Sequence, residues 1–350
     1  MRKRTAAIAA LSVAGLVFGA ARAQETKTFK SWSAACDNAR ACTAFGFTED
    51  GSDQRGFLRI QRQAGPAAAP AVSVASADAG AGPPKPWTVK IDGRTLPGLG
   101  GVRPAGRDDD RRIDLSPTQA SALIAALRNG GVLTVEEGAT PILSISLAGS
   151  TASLLWIDDR QGRAGGATAL VARGAKPAAA VPPPPALPVV RRAPPVAQSG
   201  LPAALPKSLA RTGAFSDCDS EGAPASDEIE IHRLSPGVVL FAAPCMRGAY
   251  NLVYGLMLAD ERGRRARLAD LPLSPGSNPA VTSSLMNIGF DPKTQTLTSF
   301  GKGRGPGDCG ESLTWVWDGA AFRLVEDVAM SACKGVGPDD WPTVYRAVVR

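Results

Sequence analysis

Histidine occurs once in 350 residues, at His232, and that scarcity removes several kinds of chemistry at once. Zinc sites use short Cys or His pairs. Here the six cysteines stand at 36, 42, 218, 245, 309 and 333 with no C-x-x-C, and one histidine forms no pair. The missing C-x-x-C also argues against a thiol oxidoreductase. A Ser-His-Asp hydrolase would need His232, and no G-x-S-x-G elbow is present. Aromatics are 5% of the chain and are not interleaved with a Lys/Arg stripe, so a groove tracking nucleic-acid phosphates is not expected. The one long apolar run, Ala6 to Gly19, falls short of the ~20 residues a membrane-spanning helix needs. We therefore expect no metal, no cofactor, no catalytic residue set, no nucleic-acid partner and no membrane span after processing.

That apolar run follows Arg2, Lys3 and Arg4 and ends in Ala21-Arg22-Ala23, the pattern of a secretory signal with its cleavage point. Residues 1–23 are expected to be a signal peptide. Losing its four cations, Arg2, Lys3, Arg4 and Arg22, leaves +3 of the formal +7 charge, so most of the basic bias belongs to targeting. The destination is periplasmic, in a Gram-negative bacterium, or secreted. An even cysteine number in an oxidising compartment implies disulfides. Six cysteines allow fifteen pairings. Order along the chain suggests Cys36 with Cys42, Cys218 with Cys245, and Cys309 with Cys333.

Pro177 to Pro206 holds ten prolines in thirty residues, including Pro182 to Pro185 in a row. Such a stretch keeps neither a helix nor a strand ladder and favours extended, semi-rigid chain. It divides the protein into a domain at 24–174, a Pro/Ala-rich linker at 175–206 and a domain at 207–350.

In the first domain, TFKSWSAACDNARACTAFGF reads as two short strands around a tight Cys36–Cys42 loop. GFLRIQRQ and WTVKIDG read as further strands, the latter with Trp87, Val89 and Ile91 on one face. Ala71 to Ala75 is a candidate strand inside an Ala/Pro/Gly-rich passage. One helix is expected: Ser116 caps it, Pro117 suits its first position, Leu123, Ile124 and Leu127 form its apolar stripe, and Asn129-Gly130-Gly131 stops it. VLTVEE, PILSISLAG and TALVARG would follow as strands. The second domain is a run of short alternating segments separated by turn residues at Pro236-Gly237, Asp291-Pro292 and Asp318-Gly319. The expected fold is mostly β: an α+β, antiparallel-sandwich-like first domain with one helix, then an antiparallel β-meander.

Together, W-x-x-x-C-D-N-x-x-x-C, LRIQR and GRGPGDCG…WVWDGAAFRL…SAC resemble the exported bacterial family whose domain of unknown function is numbered 1176. That family implies no activity and no catalytic residues. LSPTQASALIAALRNGGVLTVEE…ILSISLAG, with the early W-x-x-x-C, also resembles the invasion-associated locus B family of small exported β-rich domains. The long Ala/Pro-rich insertion departs from that pattern.

Four places could carry chemistry. In EIEIHRL, Glu228, Glu230 and His232 share one strand face, which reads as a solvated face rather than a ligand set. Asp108, Asp109 and Asp110 lie between Arg107 and Arg111-Arg112; flanking guanidiniums suit a solvated charged loop better than a proton donor, and the spacing is not that of an EF-hand. Trp315, Trp317 and Phe322 are expected in a core, the alternative being an outward platform for a glycan or peptide. Most local of all is GKGRGPGDCGE. Its glycines and the cations Lys302 and Arg304 suit an anion cradle or a recognition surface with Asp308 and Glu311. The preferred reading is a structural one: the glycines permit positive φ where a bridge closes a hairpin, with Arg304 paired to Asp308 or Glu311.

The functional expectation is a non-enzymatic envelope protein that recognises a protein, peptide or glycan. The alternatives are an envelope carbohydrate hydrolase using an Asp/Glu pair, or an inhibitor presenting the glycine-rich loop to an incoming enzyme.

Overall fold

The computed structural model describes residues 25–49, 52–77, 83–107, 110–210, 212–215, 218 and 228–350. The expected signal segment and Asp108-Asp109 lie outside them.

The first half contains β1 (Glu25–Phe29), β2 (Trp32–Cys36), β3 (Cys42–Phe47), β4 (Gly56–Arg62), β5 (Pro70–Ser76), β6 (Trp87–Ile91), β7 (Arg94–Thr95), β8 (Ala105–Arg107) and β9 (Asp110–Asp114). After them come α1 (Pro117–Leu127), β10 (Val132–Glu137), β11 (Thr140–Ser146) and α2 (Ser150–Arg160). Seven strands form one sheet in the order β1-β2-β3-β4-β5-β9-β8, and four form a second, β11-β10-β6-β7. Inward residues of both meet in one core, with Trp32, Leu58, Ile60 and Val74 from the first and Trp87, Val89, Leu133 and Ile145 from the second. Period-two alternation places Trp87, Val89 and Ile91 together.

Helix α1 starts as expected. The Ser116 hydroxyl accepts from the Gln119 amide at 3.4 Å while the Gln119 side chain accepts from the Ser116 amide at 2.9 Å, a reciprocal cap. Ala120, Leu123, Ile124 and Leu127 are its buried face. Gly130 leaves the helix where a Cβ would lie 2.5 Å from the Ile91 side chain, so the exit needs glycine for close approach.

Two expectations change. PILSISLAG ends as a strand at Ser146, and a second helix, α2, follows. It starts at Gly149, whose φ of 102° and contact with the Phe29 carbonyl no other residue would fit. TALVARG is not a strand. Its amides at Leu170, Val171 and Ala172 donate to the carboxylate of Asp158 on α2, at 2.7, 2.9 and 3.2 Å. One buried side chain thus does for this loop what a neighbouring strand would have done.

After a 3-10 turn at Ala178–Ala180, residues 181–206 carry no helix and touch both halves at separate points. Val181 is buried, and Pro182 and Pro184 rest over Gly162 and Gly65 of the first half. Farther on, β12 (Val189–Val190) pairs in parallel with the last strand, the Ala193 amide donates to the Trp317 carbonyl at 2.9 Å, and the Gln198 amide group brackets the backbone of Arg233.

The second half contains β13 (Glu230–Ser235), β14 (Val238–Arg247), β15 (Leu252–Ala259), β16 (Arg267–Leu268), β17 (Leu271–Pro272), β18 (Val281–Thr282) and β19 (Ser284–Met286). It continues with β20 (Ile288–Asp291), β21 (Thr296–Lys302), β22 (Gly310–Trp317), β23 (Phe322–Met330), β24 (Thr343–Arg346) and β25 (Val348–Val349). Two meanders, β13-β14-β15-β16 and β20-β21-β22-β23-β24, enclose a core built on Leu240, Leu256, Leu297, Trp315 and Trp317. The outer face of the first meander, with Val239, Phe241 and Met257, is covered by Leu209 and Phe215.

All three disulfides join the cysteines paired by chain order: Cys36–Cys42, Cys218–Cys245 and Cys309–Cys333. The tryptophan pair is core. Trp315 and Trp317 are buried and donate through their indole N–H groups to the Pro272 carbonyl and the Ser235 hydroxyl, which settles the platform alternative against them.

A candidate recognition cleft between the halves

The second face of the large first-half sheet meets the second half. Phe45, Phe47, Phe57 and Ala75 pack against Cys309, Met330, Val336 and Trp341 in a separate apolar cluster, with Trp341 stacked on Phe300 at 5.6 Å. Motif residues supply its polar fastenings. In the Cys36–Cys42 loop, Asp37 accepts from the amides of Ala39 and Ala41 and pairs with Arg346 at 2.6 Å. Asn38 exchanges two hydrogen bonds with the backbone of Arg346, at 2.9 and 3.0 Å. From LRIQR, Arg59 pairs with Asp340, which also takes Arg112. C-D-N and the arginine of LRIQR are thus clasps joining residues some 300 positions apart in one case and 281 in the other.

Beside these clasps lies an open cleft of about 350 Å³. Arg55, Phe57, Ser76 and Arg112 form one wall, and Asp308, Gly335, Asp339 and Asp340 are on the other. The glycine-rich corner therefore does line a cavity, through Pro306, Gly307 and Asp308.

The corner's shape follows from its residues. Gly310 has φ 143°, and a Cβ there would fall 2.0 Å from the Gly301 carbonyl oxygen. A Cβ on Gly303 would press on the Cys309 sulfur at 2.7 Å. The Gly303 amide donates to the Cys309 carbonyl at 2.8 Å, and the disulfide carries this turn to the segment after β23. Arg304 is paired with Asp308, its Nε at 2.7 Å and its Nη2 on the second oxygen, and Asp308 also accepts from the Gly335 amide at 2.7 Å. Arg304 and these bonds hold the Asp308 carboxyl below its ordinary range despite its burial. The glycines and Arg304 thus serve the turn first.

The sequence-proposed residues divide. Asp308 reaches the cleft, Arg304 orients it, and Lys302 lies with its stem over Gly307. Its ammonium has no partner among the described residues. Glu311 points elsewhere, on the face of β22 near Asp327 of β23. Burial raises the Glu311 carboxyl. Asp327 is 2% exposed, takes one hydrogen bond from the Ser274 hydroxyl, leaves its other oxygen unpartnered, and is pushed up to about 7 by burial, with the Glu311 charge adding to the shift. Asp327 gave no sequence signal beyond its place in an alternating strand.

Two further readings need correction. The Asp-Arg run is not a solvated loop at its described end: Arg111 is buried beside Glu137 and Arg112 clasps Asp340. His232 is not on a solvated face. It is about one-fifth exposed, bonds Glu230 at 2.7 Å and lies 4.7 Å from the Phe290 ring. Among the described residues no group of three His, Cys, Asp or Glu side chains is placed to hold a metal ion, and no helix is long and apolar enough to cross a membrane.

The family described as Protein of unknown function (DUF1176) matches residues 26–348, which spans both halves, the docked strap and every clasp. The uncharacterized protein YpfG of Escherichia coli (strain K12) is similar to the chain at 32% identity over 342 residues, covering 91% of this chain and 92% of its own. No solved structure matches.

Proposed function

We propose, since the chain belongs to the DUF1176 family, that this family's two-half body is an exported, non-catalytic binding protein whose recognition site is the cleft between its halves. The carrying observation is the cleft itself. Its walls come from both halves, Arg112, Asp308 and Asp340 on them are held in ion pairs, and the Cys309–Cys333 disulfide backs the corner, so this part of the site is set before any partner arrives. Preorganised polar groups lower the ordering cost of binding.

A peptide segment of an envelope protein suits it better than a glycan. Among the described residues the aromatic ring on the walls is Phe57, which is buried and offers no stacking face, whereas glycine backbone and fixed Asp and Arg heads suit an extended polar chain. Export is supported by three disulfides together with the N-terminal signal pattern.

A hydrolase using an acid pair draws less support. Asp308 and Asp340 are each neutralised by arginine, and burial closes Asp327 to water. A general acid needs to be protonated near the working pH and reachable by the bond it protonates.

The test is a photo-crosslinking amino acid at Asp339, on the cleft rim, compared with one at the remote exposed Val281, in cells carrying the exported protein. A discrete adduct from position 339 that position 281 lacks, competed by excess unlabelled protein, supports the reading. Equal adducts at both positions, or none at 339, overturn it.

A further inference from the structure

A second cavity, of about 170 Å³, lies wholly in the first half between β4, α1 and the loop after α2. Arg62, Arg173, Thr168 and Ser121 give it a polar side, and Ile124 and Leu170 give it an apolar one. Arg62 is 5% exposed and spends its Nε and Nη1 on the neutral carbonyls of Ala68 and Thr168, at 3.1 and 2.7 Å. Among the described residues nothing accepts from its Nη2.

Behind it Arg163, 1% exposed, is likewise held by neutral groups: the Gln161 side chain, the Thr168 hydroxyl and the Gly65 carbonyl. Arg173 donates its Nε to the Ala169 carbonyl at 3.2 Å. The carboxylate that offsets these guanidiniums, Asp158, is fully buried and already occupied by the amides of Leu170, Val171 and Ala172. Burial, then the charge of Arg163, lowers Arg62 to about 10, which Asp158 offsets only in part. Arg62 and Arg163 thus share one carboxylate that is hydrogen-bonded to neither, and Arg173 stands with Arg62 on the wall of the cavity.

We propose that this cavity binds a small aliphatic carboxylate, its head on Arg62 and Arg173 and its hydrocarbon against Ile124 and Leu170. A guanidinium presents parallel N–H groups that match a carboxylate, and a buried surplus of positive charge favours an anion. Phosphate fits less well, because oxygens turned toward the apolar wall would lose water without replacement.

The experiment titrates the full oxidised chain with n-butyrate at constant ionic strength, following heat by calorimetry and contact by saturation-transfer NMR. The neutral isostere n-butyramide and inorganic phosphate are the reference probes. Arg173→Gln removes a guanidinium whose head is exposed, and Ser121→Glu places a carboxylate at the exposed mouth on α1; both leave the core intact. Saturable butyrate binding is expected, weakened roughly tenfold by Arg173→Gln and by butyramide, and abolished by Ser121→Glu. Absence of saturation, equal binding of butyramide or phosphate, or indifference to both variants overturns the proposal. It is independent of the cleft, since none of these residues lines it.

Discussion

The two halves bury charge differently. Among the described residues the first buries Arg62, Arg111 and Arg163 alongside Asp37 and Asp158, while the second buries carboxylates alone: Asp260, Asp308, Asp327 and Asp340. A guanidinium has five donors and no acceptor, so it gathers carbonyls, and Arg62 and Arg163 draw together the loops near Gly65 and Thr168. A carboxylate only accepts, so it gathers amides in turns, as Asp260 does from Arg262 and Arg264. Where the halves meet, the signs meet too, at Asp340 with Arg59 and Arg112. Buried charge here organises loops inside each half and joins the halves between them.

Asp327 breaks this pattern, since among the described residues no amide or cation is bonded to it, and it carries the largest expected effect. Its folded pKa, about 7, lies above the ordinary aspartate range, so the folded state binds the proton more tightly. Its contribution to stability is therefore greatest in acid and is lost as pH rises from about 4 to about 7, a span on the order of 4 kcal/mol. Asp327→Asn should remove that fall and be the more stable protein at pH 8. Asp308 has the opposite sign: its depressed carboxyl contributes stability above the ordinary aspartate range, lost as pH falls through its folded value. Urea midpoints across pH check this, and parallel curves for wild type and Asp327→Asn would sink it.

Next in size is the clasp. Asp340→Ala leaves Arg59 and Arg112 at the interface without a carboxylate and should cost about 3 kcal/mol. Hydrogen exchange should show residues 331–342 losing protection first. Unchanged exchange there would mean that the apolar cluster around Trp341 alone joins the halves.

The smallest effect separates the two uses of charge. Arg163→Met strands the Gly65 carbonyl and the Gln161 and Thr168 side chains, at a cost of about 2 kcal/mol. Because those partners are neutral and the nearby charges of Asp158 and Arg62 are buried away from salt, the loss should vary little with salt, whereas the loss in Asp340→Ala should shrink as salt screens the clasp. Equal salt dependence, read from denaturation at low and high ionic strength, would contradict the distinction.

Local signals were readable wherever neighbours in the chain are also neighbours in space. Ser116 and Pro117 start α1 because a cap is completed within four residues, and the Asp318 turn closes on the amides of Ala320 and Ala321. The corner glycines were legible as a turn for the same reason. Helix α2 was not, because STASLLWIDDR has a weak apolar stripe and is set by Gly149 meeting Phe29 across the chain. Nor was the Arg62 cavity, whose walls come from positions 62, 121 and 168–173.

By itself the sequence determined the β-rich class, the first helix, the export pattern and, through an even set of cysteines, three staples whose order followed the chain. Only the tertiary structure decided which charges are buried, that C-D-N and LRIQR clasp the second half, that the proline-rich strap touches both halves, and where the cleft and the Arg62 cavity lie. The physical reason is range: caps, turns and alternation are satisfied within a few residues, whereas desolvation and ion pairing depend on which distant surfaces the folded chain brings together.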